Sequence, residues 1–131
     1  MKAQELMIGD WIRCDRKPYR IAEIGGMVCI DGERELFSNL EDIEPIPITG
    51  TILKRNGIKS EEYDDGFYWC DGDPRKGISQ EVRLVQDDKG WLAYFYIPKV
   101  ESDIEGLQLS YVHELQHALR LLGIDKEITT L

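Results

Sequence analysis

Residues 80–97 read QEVRLVQDDKGWLAYFYI, two β-prone runs on either side of Asp87–Asp88–Lys89–Gly90. Acids followed by Lys-Gly between alternating apolar runs are a hairpin signal, so the stretch predicts two antiparallel strands. In the second run, Trp91, Ala93, Phe95 and Ile97 share one face, and Leu92, Tyr94 and Tyr96 share the other. Both faces are largely apolar, which predicts a strand covered on two sides. One cover is expected from the C-terminal helix. The other is expected from the N-terminal part or from a second copy of the chain.

The flanks extend this sheet. Residues 60–77, SEEYDDGFYWCDGDPRKG, predict a strand over Phe67–Cys70 between two exposed acidic loops whose spacing does not match a calcium loop. Leu107–Gln108–Leu109 alternates and predicts a last short strand. Then comes YVHELQHALRLLGI, residues 111–124, in which Tyr111, Val112, Leu115, Ala118, Leu119 and Leu122 recur at helical spacing as one apolar stripe. Ser110 is the expected N-cap and Gly123 the expected residue just past the helix end.

Upstream, residues 6–48 show short β-prone runs (LMIGDWIRC, PYRIAEI, MVCI) punctuated by Gly25–Gly26 and Asp31–Gly32. Pro45 and Pro47 confine EPIPI to an edge or an extended exit. Thr49 is expected to cap a short helix that Asn56–Gly57 stops. The expected fold is α+β: an SH3-like small β-barrel over residues 1–48, then over 49–131 an antiparallel β-sheet packed on a C-terminal α-helix, with one core able to serve both parts.

Composition narrows the function classes. With 42% apolar and 31% charged residues the 131-residue chain is an ordinary globular mixture. A formal charge of −9 disfavours nucleic acid as partner, because neutralising phosphates takes clustered Lys and Arg. No apolar run approaches membrane-spanning length, and Met1–Glu5 leads into no signal-like core. Three widely spaced cysteines, Cys14, Cys29 and Cys70, fit reduced thiols and a cytoplasmic location.

One motif carries chemistry. His113–Glu114–Leu115–Gln116–His117 matches H-E-x-x-H, in which two histidines one turn apart hold zinc and the glutamate acts as general base. That makes a small zinc-dependent hydrolase the alternative reading, with Glu114 catalytic and His113 and His117 as metal ligands. Three points oppose it. The wheel puts both histidines opposite the apolar stripe, pointing outward. Gly123 stands where a third histidine of the longer motif would fall, and only Asp125 and Glu127 follow as carboxylate candidates. His113 also lies in the first helical turn, poor support for a catalytic metal. The expected sites are therefore no catalytic, cofactor or metal residues.

The opening KAQELMIGDWI, the middle EPIPIT with IL and NGI, and the closing YVHELQHALRLLGI together resemble a group of small uncharacterised proteins of gut Bacteroidetes and their mobile elements or phages. The resemblance implies no activity, substrate or cofactor. In that group the closing helix resembles Y-V-H-x-L-Q without a required second histidine, which further weakens the zinc reading. The expected function is a non-enzymatic accessory or interaction module with an unknown protein partner, homodimerisation being one possibility. Its acidic surface also suits inhibition of a nucleic-acid-binding protein.

Overall fold

Two antiparallel sheets built from hairpins, with one short and one longer helix, make up an α+β fold. The structure, a computed structural model, describes residues 5–24, 28–31, 36–38, 40–61, 66–73, 78–97 and 102–131. The expected turns at Gly25–Gly26 and Gly32, and most of both acidic loops around Phe67–Cys70, lie outside the described residues. The chain divides into two units, one holding residues up to Pro47 with Tyr111–His117, the other Ile48–Ser110 with Ala118–Leu131.

In the first unit, β1 (Trp11–Cys14), β2 (Lys17–Ile24), β3 (Val28–Asp31) and β4 (Leu36–Ser38) form a meander. After a 3₁₀ turn, Leu40–Asp42, the short β5 (Ile43–Glu44) returns to pair with β1. The resulting order is β4-β3-β2-β1-β5. A closed barrel is not found among the described residues; what they show is an open five-stranded sheet. Cys14 pairs with Lys17 across a two-residue turn, where Asp15 and Arg16 both have positive φ (50° and 65°). That is the I′ geometry, whose twist matches the strands, reached without the usual Asn-Gly. Leu6, Ile12, Ile21 and Ile43 form the core, with Cys14, Tyr19 and Ile24 packed against it.

In the second unit, β6 (Lys59–Ser60), β7 (Gly66–Asp73), β8 (Ile78–Asp87), β9 (Gly90–Ile97) and β10 (Ser102–Leu109) run in order as a five-stranded meander. The expected hairpin forms with Asp87 opposite Gly90, so Asp88 and Lys89 make the turn. Gly90 is required there: its φ is +132°, and an added Cβ would come within 2.7 Å of the Leu109 carbonyl oxygen. Trp91, Ala93 and Phe95 are buried, and the Trp91 indole donates to the Ile48 carbonyl at 3.0 Å while meeting Phe67 edge-on. The opposite face of β9 is not sealed: Leu92 and Tyr96 are half-buried and Tyr94 is exposed. The expectation of two-sided cover therefore holds for one face only.

Helix α1 (Gly50–Arg55) is capped by Thr49, whose hydroxyl accepts from the Ile52 amide at 3.2 Å. Helix α2 (Val112–Leu121) carries the motif. Both helices end alike. At α1, Gly57 (φ +78°) donates to Lys54 and Ile58 donates back to Leu53; at α2, Gly123 (φ +70°) donates to Arg120 and Ile124 to Leu119. This doubly bonded glycine closure satisfies the terminal carbonyls and turns an apolar residue inward each time. Ile58 and Leu53, like Ile124 and Leu119, are buried.

Asn56 ties the chain's end to α1. Its amide donates to the Ile52 and Thr130 carbonyls at 2.8 and 2.7 Å, and its Oδ1 accepts from Thr129 at 2.9 Å. Replacing Asn56 with Ala should cost about 2 kcal/mol, the worth of a multiply bonded buried amide. Hydrogen exchange should locate the loss, with the Thr129 and Thr130 amides losing protection before those of β8 and β9.

Candidate functional site

The H-E-x-x-H residues all lie in the first unit, on the opening turns of α2. Their surroundings begin with a tight turn before β1. Gly9 (φ +91°) donates to Ile21, and the Asp10 backbone donates to Met7 while its carbonyl accepts from Ile21. Asp10 is thereby driven inside, with 0% exposure. A buried carboxylate needs donors. Its Oδ2 accepts from the Met7 amide at 2.7 Å and lies 2.7 Å from Nε2 of His117.

This overturns the outward placement expected for the histidines. His113 is only 5% exposed and the His117 side chain 21%. The wheel is right for four of the six stripe residues, Val112, Leu115, Ala118 and Leu119, which are buried, whereas Tyr111 is exposed and Leu122 half-buried. It failed on the polar face, because a helix face can be buried through hydrogen bonds as well as through methyl groups. Gln116 shows the same: at 4% exposure its amide donates to the Gly9 carbonyl at 3.0 Å and its oxygen accepts from the Trp11 amide at 2.8 Å. It pairs with β1 as a neighbouring strand would.

Glu114 is also engaged. Helix α2 begins one residue later than expected, so Tyr111, not Ser110, occupies the cap position. The Tyr111 amide donates to Glu114 Oε1 at 2.9 Å, the returning half of a capping box. The carboxylate expected to act as general base in the zinc reading thus braces the first turn, and favours the positive end of the helix dipole.

The rings form a cluster. Tyr111 lies nearly parallel to His113 (centroids 5.9 Å, 12°), and His113 meets His117 edge-on at 5.6 Å. Together with Glu5, Pro45 and Glu114 they line a cleft of roughly 320 Å³. Nδ1 of His113 is buried and finds no hydrogen-bond partner among the described residues. Burial pushes the His113 imidazolium pKa below the usual histidine value, against the opposing pull of Asp10 and Glu114.

What this cluster can do follows from hydrogen-bond chemistry. A carboxylate only accepts, so the short Asp10 contact requires the His117 proton on Nε2. In the neutral ring the lone pair then lies on Nδ1. An ion shared by both rings through Nε2 would have to displace Asp10. Among the described residues there is no group of three or more His, Cys, Asp or Glu placed to hold a metal ion. Asp125 and Glu127, the downstream carboxylate candidates, fall in the other unit. The site residues that sequence reading missed are Asp10 and Gln116. Gly9–Asp10 announced a turn, but nothing in the chain marks a partner 107 residues away.

Comparison with protein-family models, with curated proteins and with solved structures returned no match to this chain.

The His113 environment fixes a pH dependence. With its folded pKa lowered, the unfolded chain takes up the proton first as pH falls. His113 therefore costs no stability above the unfolded value of about 6.5, and stability falls below it until the folded pKa is reached. Chemical denaturation between pH 7.5 and 5 should show this decline, its His113 share having a slope of at most about 1.4 kcal/mol per pH unit. His113→Phe should flatten that part of the profile.

Proposed function

We propose that the protein is a non-enzymatic accessory or protein-interaction module in which the H-E-x-x-H segment serves the fold. The observation that carries this reading is the 2.7 Å contact between His117 Nε2 and the buried carboxylate of Asp10. It occupies the nitrogen that a zinc ion bound through His117 Nε2 would need. The capping role of Glu114 and the strand-like pairing of Gln116 support the same reading, since both side chains already have a structural use. A protein partner fits the charge of −9 better than nucleic acid does. No helix among the described residues is long and apolar enough to cross a membrane. The proposal includes an SH3-like kinship for the first unit, supported by the order β4-β3-β2-β1-β5 and the 3₁₀ turn before β5. It also includes a cytoplasmic setting, supported by the three widely spaced cysteines, and descent from mobile elements, supported by the sequence resemblance alone.

One observation favours a second reading, a zinc-dependent hydrolase using His113, His117 and Glu114. His113, whose Nδ1 has no hydrogen-bond partner among the described residues, meets His117 edge-on in a cleft that Glu114 also lines. Elemental analysis separates the two. Purified without a polyhistidine tag and dialysed against EDTA, the protein should hold only trace zinc, and added zinc should confer no peptide hydrolysis. One zinc per chain, lost in His117→Ala, with hydrolysis lost in Glu114→Gln, would establish the hydrolase instead.

A further inference from the structure

The cleft at the start of α2 is built within the first unit, from Glu5, Pro45, Tyr111, His113, Glu114 and His117. At roughly 320 Å³ it matches the smaller ligand pockets. Two carboxylates line it, and no lysine or arginine is among the described residues that do. Burial holds the His113 ring neutral at neutral pH although Asp10, Glu114 and Glu5 all pull the other way, so this ring does not answer those acids. Nor do the amides at the helix start: Tyr111 donates to the Glu114 side chain, Val112 to the Ile46 carbonyl and Glu114 to the Tyr111 carbonyl. The cleft is negative and rich in acceptors.

His113 gives an independent sign of a missing partner. It is 5% exposed, it lines the cleft, and its Nδ1 finds no hydrogen-bond partner among the described residues. A buried ring nitrogen seldom stays so unless something from outside the fold bonds it.

The chemistry of the walls selects the occupant. An anion would be repelled by Glu5 and Glu114. The described residues include no group of three or more His, Cys, Asp or Glu placed to hold a bare metal ion. Acceptors set apart in this way suit a cation that spreads its donors over a plane. The Tyr111 ring is 37% exposed, and Pro45 adds apolar surface beside it. A guanidinium stacks on such a ring, presents several N–H donors in one plane, and carries a methylene stem that gains from apolar cover. We infer that the cleft receives the arginine side chain of a protein partner, stacked on Tyr111 and donating to Glu5 and Glu114. Glu114 accommodates this bond beside that of the Tyr111 amide, because a carboxylate has about four acceptor positions. The charge of −9 draws a basic segment toward the molecule. Resting on the interaction-module reading, this assignment gives the unknown partner its chemistry.

Nuclear magnetic resonance titration of the full chain, in EDTA, with a blocked glycine peptide carrying one arginine tests it. The Tyr111, His113 and Glu114 resonances should move and saturate in the millimolar range, the affinity expected of one stacked ion pair. The same peptide with citrulline, which keeps the shape and loses the charge, should move none of them. A lysine peptide should bind more weakly than the arginine one. Rising salt should weaken the arginine peptide, and Glu5→Gln, a change at an exposed side chain, should weaken it about threefold. An equal response to citrulline, a lysine peptide as tight as the arginine one, or binding of methylguanidine without the peptide would each overturn the inference. So would no response to the arginine peptide. Any of these would leave the interaction-module reading intact, since zinc content and hydrolysis decide that separately.

Discussion

A carboxylate with no access to water organises the first unit. Asp10 is fully buried, and an uncompensated charge there would cost several kcal/mol. Compensation comes from the Met7 amide, three residues back, and from His117, more than a hundred residues on. The first contact shapes the turn that launches β1. The second requires the start of α2 to lie against that turn, and Gln116 reinforces the arrangement by bonding the backbone on both sides of Asp10. Removing the His117 imidazole would take one donor from the buried Asp10 carboxylate. The N-terminal strands and the helical segment Tyr111–His117 thereby belong to one compact unit.

This gives a physical account of how a metallopeptidase-like spelling fits a helix in which Glu114, Gln116 and His117 each make a hydrogen bond to the fold. The histidine at the fifth position matches a buried acid. The glutamate at the second position is where a capping box wants it, three residues after the cap. The first histidine packs between an aromatic ring and the second. Each of these residues has a local structural role.

Much of the fold could be read from the chain. The 87–90 hairpin, the Thr49 cap, the glycine stops at 57 and 123, and the apolar stripe of α2 all depend on neighbours within a few residues, which sequence displays directly. The Asp15–Arg16 turn was less legible because neither residue is a strong positive-φ former, and the surrounding strands impose the geometry. The site was hardly legible at all. A histidine facing solvent and one facing a buried acid occupy the same position on a helical wheel, and the partner that decides between them lies at the other end of the chain. Likewise, alternation showed that both sides of β9 are apolar but not which one the chain itself would cover.

The edges of the second sheet carry a separate consequence. One edge, β6, is only two residues long and presents Lys59; the other, β10, loses register between Ile104 and Leu107, where Gly106 adopts a φ of +65°. A short charged border and a kinked one are both poor templates for adding another strand. An open sheet with two free borders would otherwise invite growth into fibrils. Here the backbone geometry of both borders disfavours edge-to-edge growth of this sheet, so each molecule is a poor template for the next.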